Sequence, residues 1–174
     1  MEPGQQVLDL GCGDGAFAAA LARAGAQVVG VDVAENALTR AGARPEQLDL
    51  RLWQGSEPLP VNDASVDVVW AGEVVEHVVD VAAWLSEVRR VLRPRGSLLL
   101  STPSHGRLRM VAIALARMES HFDPRGEHVR FFTARSLREL LEDFGFEEIR
   151  LRLTGGVPLL RATIMATARR RRWG

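Results

Sequence analysis

A chain of 174 residues with 47% hydrophobic and 25% charged residues has the apolar content to bury a core without disulfides or structural metal, which excludes the disordered and fibrous classes. Its 22 basic residues, all arginine, balance 22 acidic ones, so no net field argues for a nucleic-acid partner; the single Cys12 excludes an internal disulfide and fits a reducing, cytoplasmic compartment. No apolar run reaches the length of a membrane span, and the opening MEPGQQ has neither the basic nor the apolar segment of a signal peptide, so neither export nor integral membrane association is expected.

Short β-rich runs alternate with longer helical ones, which predicts parallel strands joined by crossover helices. QVLDL (6–10) and QVVGVDV (27–33) read as continuous apolar strands, separated by the alanine-rich helix GAFAAALARAG that ends at Gly25. ENALTRAGA gives a second helix and LDLRLWQG a third strand; after the loop SEPLPVNDAS, VDVVWA (66–71) is a fourth. DVAAWLSEVRRVL has apolar residues at helical spacing and stops before Pro94, and GSLLLSTP follows as a fifth strand. Residues 104–130 form the longest stretch between regular elements and predict a lid or substrate insertion. Within them RMVAIALARM (109–118) predicts a buried helix, in preference to one lying on a membrane surface. TARSLRELLEDFG is a helix with Thr133 as N-cap and Gly145 just past its end; FEEIRLRL and LLRATIMATA are strands six and seven, an antiparallel hairpin across TGGVP. Residues 1–174 therefore read as one α/β domain with a seven-stranded, mostly parallel sheet, an antiparallel last strand and helices on both faces.

The turn after the first strand, VLDLGCGDG, carries Gly11, Gly13 and Gly15, which let the chain turn tightly and a ligand approach the backbone. Asp32 ends the second strand about 20 residues later, the distance at which an acid meets ribose hydroxyls. A nicotinamide dehydrogenase would need G-x-G-x-x-G and a pyrophosphate at the helix start, whereas the spacing here is G-x-G-x-G and Asp9 and Asp14 would repel a phosphate. A cationic or zwitterionic ligand fits better, and S-adenosylmethionine supplies adenosine, sulfonium and ammonium without phosphate. Asp14 can equally be a solvated turn residue; Asp9, inside a strand, cannot.

Directly after the fourth strand stands GEVVEH (72–77), at the sheet edge where ligands of open α/β folds bind. In a helical conformation Glu73, Glu76 and His77 would share one face. Three explanations stay open. The residues can be ordinary caps, ion pairs and packing groups; His77 can serve as general base; or both glutamates and His77 can hold a divalent metal with a further ligand from the 104–130 insertion.

These motifs, in this order, resemble the class I S-adenosylmethionine-dependent methyltransferases: VLDLGCGDG their first motif, VVGVDVAENAL their second strand with its ribose-binding acid, and LPVNDASVDVVWAGEVVEHV with RVLRPRGSLLLSTP the stretch from the fourth strand to the fifth. The resemblance implies a Rossmann-like fold and places the cofactor on Asp9, Gly11, Cys12, Gly13, Asp32, Val33, Gly55, Ser56 and Ala71. The Gly11 carbonyl and Asp9 would serve the methionyl ammonium, Asp32 the ribose and Val33 the adenine. Ser56 stands where many relatives have an acid for the adenine amino group, with Glu57 as the alternative. Cys12 itself is most simply a small packing residue. Relatives carry some tens of residues before the first strand that cover the cofactor; here the cover would have to come from the insertion, from a partner subunit, or not at all.

The segment ExxEH with a later histidine is similar to the metal-binding pattern of small-RNA 2′-O-methyltransferases, and ubiquinone-biosynthesis O-methyltransferases have a similar segment. It implies a metal on Glu73, Glu76, His77 and His128, with His121 competing for the last place, and Mg²⁺, Mn²⁺ or Zn²⁺ equally suited. The expected activity is O-methylation of a small hydroxylated metabolite: a quinone precursor, a sugar or a phenol. RNA 2′-O-methylation, suggested by the metal pattern and the tail ARRRRWG, and non-catalytic cofactor binding are its rivals.

Overall fold

The computed structural model describes residues 3–55, 57–123, 125–156 and 162–172. β1 (Gln6–Leu10), β2 (Gln27–Asp32), β3 (Asp49–Leu52), β4 (Val66–Gly72), β5 (Leu92–Pro103), β6 (Phe146–Thr154) and β7 (Thr163–Arg170) form one sheet in the order β3-β2-β1-β4-β5-β7-β6. The strands from β3 to β5 pair in parallel, while β7 runs antiparallel to both β5 and β6. Parallel strands covered on both faces have to be apolar nearly throughout. Accordingly Val7, Leu8, Val31, Val69, Leu98 and Leu100 are all buried.

The helices α1 (Ala16–Arg23), α2 (Glu35–Gly42), α3 (Val81–Val91) and α6 (Ala134–Asp143) cover the sheet, each through one stripe. In α3 that stripe is Trp84, Leu85, Val88 and Val91, and the helix starts where the Asp80 side chain accepts from the Ala83 amide at 2.9 Å. In α6 the stripe is Leu137 and Leu141, behind a capping box in which Thr133 and Ser136 each satisfy the other's amide.

The chain winds outward from β1 to β3, then returns to lay β4 on the other side of β1. The carboxyl ends of β1 and β4 thus flank the point where the winding reverses, the place at which open α/β sheets leave a crevice. Both the glycine loop and GEVVEH issue there.

Two expectations need correction. β5 begins at Leu92, four residues earlier than the sequence suggests, because Leu92 pairs with Val66 before the register shifts. Pro94 is tolerated in the exposed, bulged stretch Arg93–Arg95, where it interrupts no continuous ladder. The second concerns α4 (Arg107–Ala116), which is followed by the short α5 (Met118–His121). α4 is not buried: only Ile113 is, while Leu108, Val111 and Leu115 are 57%, 57% and 84% exposed. Its apolar residues run all round the helix, so their pattern marks no outward side. The first residues expected in strand seven, and the segment 157–161 as a whole, lie outside the described residues. Among the described residues no helix is long and apolar enough to cross a membrane.

Candidate active site

The glycine loop is held from below. The amides of Gly11 and Cys12 both donate to the Val31 carbonyl, at 2.8 and 3.0 Å, tying the loop to the end of β2. Gly11 sits at φ +80°, and a Cβ there would come within 2.4 Å of Val74 Cγ2; Gly13, at φ +55°, has no protein atom within 4 Å of the corresponding position. The backbone therefore packs tightly under GEVVEH at Gly11 and opens onto free space at Gly13, as a loop passing beneath a ligand requires. Gly11→Ala is expected to cost roughly 1–3 kcal/mol of stability from strain and overlap. Gly13→Ala should cost less stability but weaken a ligand lying over the loop; urea unfolding and ligand titration of the two variants separate the effects.

Asp9 is 2% exposed, and its Oδ2 has no hydrogen-bond partner. Burial pushes its pKa from 3.8 to about 7; the Ala18 amide opposes the shift and the Asp32 charge adds to it. An acid this strongly disfavoured in its charged form is suited to meet a cation. Asp14, by contrast, is exposed and bonded through Oδ2 to Arg44 Nη2 at 2.9 Å, the ordinary turn residue of the two. Asp32 Oδ2 accepts from the Gly13 amide at 2.7 Å and Oδ1 from Ala34 at 2.9 Å, which fixes the carboxylate at the crevice. Beside it Val33 is 64% exposed, an apolar face with no protein cover. Gly55, three residues after the end of β3, is exposed, and Ser56 lies outside the described residues.

Two of the expected cofactor residues turn inward. Cys12 is 7% exposed and packs against Gly30, where a Cβ would come 3.0 Å from its Sγ; burial pushes its thiol up to about 12. Ala71 is fully buried in the main core, so its side chain faces packing rather than the crevice.

GEVVEH does not continue as a helix from Glu73. Glu73 has φ +53°, and the turn begins only at Val74, whose carbonyl accepts from the His77 amide at 2.9 Å. The face expected to unite three side chains therefore carries two. Glu73 Oε1 instead accepts from Ser101 Oγ at 2.7 Å, while its amide donates to the Ser101 carbonyl at 3.0 Å. Glu76, His77 and His128 do come together: one donor atom from each lies within 4.8 Å of the others, the one such group of three among the described residues. Glu76 is 1% exposed and both its carboxylate oxygens lack hydrogen-bond partners. Burial pushes its pKa up, with the Glu73 charge adding to the shift; its own amide, the nearby Thr102 hydroxyl and His77 work against it, although Thr102 stands outside hydrogen-bond geometry. His77 Nδ1 lies 3.1 Å from the Glu127 carbonyl, so Nδ1 carries the proton and Nε2 keeps a lone pair. The His128 ring stands edge-on to it at 4.8 Å. A buried carboxylate without partners beside two imidazoles is a donor set that fits a divalent cation, with open positions for water and substrate oxygens.

His121 is not part of this group. Its Nε2 lies 3.2 Å from Nε2 of His105, which follows β5 and is 4% exposed. Ser101, Thr102 and His105 are the polar groups at the site that spacing does not single out. Their one signal is the sudden polarity of STPSH after an apolar strand.

A methyltransferase domain family model matches residues 2–151. A probable S-adenosylmethionine-dependent methyltransferase of Mycolicibacterium smegmatis is 40% identical over 144 residues, covering 83% of this chain and 52% of that protein. A ubiquinone biosynthesis O-methyltransferase of Dinoroseobacter shibae is 36% identical over 152 residues, covering 84% of this chain and 61% of that protein. The chain thus spans between half and two thirds of the length of these relatives. In fold it matches Haemonchus contortus phosphoethanolamine N-methyltransferase 2, solved with S-adenosyl-L-methionine, at a TM-score of 0.80 and 18% identity, over 98% of this chain and 50% of that one. With the strand order, the glycine loop and Asp32 at the crevice, these matches establish that the chain belongs to the methyltransferase domain family, with the class I fold of S-adenosylmethionine-dependent enzymes.

Proposed function

We propose that the chain transfers the methyl group of S-adenosylmethionine to a hydroxyl oxygen of a small metabolite, with a quinone precursor, a sugar or a phenol as the acceptor class, in the cytoplasm. The observation that carries the reading is the unpartnered, buried carboxylate of Glu76 beside His77 and His128, on the same crevice as the glycine loop. The relative named as a ubiquinone biosynthesis O-methyltransferase supports oxygen as the acceptor atom.

In this reading the Gly11 carbonyl and Asp9 hold the methionyl ammonium, Asp32 binds the ribose hydroxyls, and Val33 lies against the adenine, with Gly55 and Ser56 at its edge. The reaction is an in-line displacement at the sulfonium methyl, which asks the protein mainly for alignment and exclusion of water. Residues 104–130 act as the lid that excludes it. Glu76, His77 Nε2 and His128 would hold Mg²⁺, Mn²⁺ or Zn²⁺, and such an ion lowers the pKa of a bound hydroxyl. Glu73 acts on this group from outside, fixed by Ser101. With its Nδ1 proton on the Glu127 carbonyl, His77 has one free nitrogen, so it serves either as ligand or as base; its place beside Glu76 and His128 favours ligand.

The test is methyl transfer from isotopically labelled S-adenosylmethionine by metal-stripped protein, with and without each ion, to catechols, simple phenols, sugars and an RNA oligonucleotide. Transfer to a catechol or another small hydroxyl compound that requires added metal is the expected result. Transfer confined to RNA would replace the acceptor class, and cofactor binding without transfer to any acceptor would leave a binding protein.

A further inference from the structure

All four histidines of the chain gather at the same end of the sheet, but they form two pairs with different surroundings. His77 and His128 share their pair with the Glu76 carboxylate. His105 and His121 share theirs with aromatic rings: Phe131 stands edge-on to His105 at 4.9 Å, and Phe122 edge-on to His121 at 4.9 Å. We infer that His105 and His121 form a second divalent-cation site, built on nitrogen and suited to Zn²⁺, separate from the Glu76–His77–His128 group.

The geometry is that of two ligands of one ion. Imidazole nitrogens about 2.0–2.1 Å from Zn²⁺ stand roughly 3.3–3.4 Å apart along a tetrahedral edge. The two Nε2 atoms lie 3.2 Å apart. Without an ion, one of the rings has to place its proton on Nε2 to bridge that gap, and His105 Nδ1 has no hydrogen-bond partner of its own. With an ion, both Nε2 lone pairs are used and both protons move to Nδ1. The flanking phenyl rings restrict both imidazoles to this relative orientation, which reduces the ordering cost of binding. Burial lowers the pKa of both rings, which favours the neutral form that binds metal; the His121 charge and then Arg109 add to this at His105, and Arg109 and then His128 at His121. The Arg109 charge also opposes a hard cation held by Coulomb attraction alone, so the site favours the borderline metals that bond imidazole directly. His121 is only partly buried, which leaves room on its side for water to complete the coordination.

The two ligands come from different elements: His105 follows β5, and His121 ends α5. An ion here would fasten the α4–α5 arm to the sheet beside the crevice, giving the arm a closed form that depends on zinc. The inference does not rest on the chemistry of methyl transfer.

Zinc titration of the full chain, followed by calorimetry and by metal analysis after gel filtration, tests it. The wild type is expected to bind two equivalents. Glu76→Gln with His128→Ala should lose one of them and keep the other; His121→Ala, at a partly exposed position that leaves the core intact, should show the reverse. Zinc should also protect the bonds between residues 105 and 121 from a protease in the wild type but not in His121→Ala. Zinc binding that His121→Ala leaves unchanged, or a single wild-type equivalent that both variants abolish, would overturn the second site. A single wild-type equivalent that His121→Ala removes and Glu76→Gln with His128→Ala keeps would count against the Glu76 group and leave this inference standing.

Discussion

Asp9→Asn is expected to make the ligand-free protein more stable at pH 8 and, at the same time, to weaken S-adenosylhomocysteine binding by roughly 10–100-fold, the value of a charge-assisted hydrogen bond. The two effects share one origin. The folded protein holds the Asp9 proton up to a pH of about 7, whereas the carboxyl of the unfolded chain releases it near 3.8. The folded state therefore binds the proton more tightly, so its stability falls as pH rises from about 4 to 7 and the loss is complete above 7. About three pKa units at 1.36 kcal/mol each set an upper bound of about 4 kcal/mol on what the amide recovers. A cationic ammonium beside Asp9 favours the charged form, so in the wild type S-adenosylhomocysteine should bind more tightly as pH rises through 7. The asparagine variant should show no such slope. Urea unfolding and calorimetry at pH 6 and 8 on both proteins measure all three quantities, and equal slopes would remove Asp9 from the cofactor site.

Glu76→Gln should lower kcat/KM for methyl transfer by roughly 10²–10⁴-fold, the range expected when a group that handles the acceptor proton or its metal is lost. The substitution keeps shape and removes charge. Because burial raises the Glu76 pKa, its loss should stabilise the metal-free protein at neutral pH, by the same direction of linkage as at Asp9. An inactive variant that melts higher than the wild type would place the defect in chemistry rather than folding. Glu73→Gln supplies the contrast: with its carboxylate on Ser101, it should leave metal affinity nearly unchanged. If instead Glu73→Gln and Glu76→Gln lose metal equally, Glu73 swings into the group when the ion binds.

The parts of this fold that could be read from the chain are those with a period or a fixed turn chemistry. The apolar runs of β1, β2 and β4, the capping box of α6 and the spacing from Gly11 to Asp32 each follow from local rules, and each stands where those rules put it. What could not be read depends on one backbone angle or on contacts distant in sequence. Glu73 leaves the face of Glu76 and His77 because its φ is positive, which nothing in GEVVEH announces. His128 reaches Glu76 because the Val129 and Arg130 amides both donate to the Glu76 carbonyl, at 2.9 and 3.1 Å, closing a loop of some fifty residues. His121 joins His105 across 16 residues, at a spacing that matches no metal motif. α4 shows the opposite case: its apolar run predicts burial, but burial is decided by whether another element covers it.

The central claim is that the crevice at the carboxyl ends of β1, β2 and β4 binds S-adenosylmethionine. Calorimetric titration of the wild type and of Asp32→Ala with S-adenosylhomocysteine, and with NADH as the competing nucleotide, tests it most directly. One equivalent of S-adenosylhomocysteine should bind to the wild type, much more weakly to Asp32→Ala, and NADH to neither. Binding of NADH in its place, or S-adenosylhomocysteine binding unchanged by the loss of Asp32, would contradict the account.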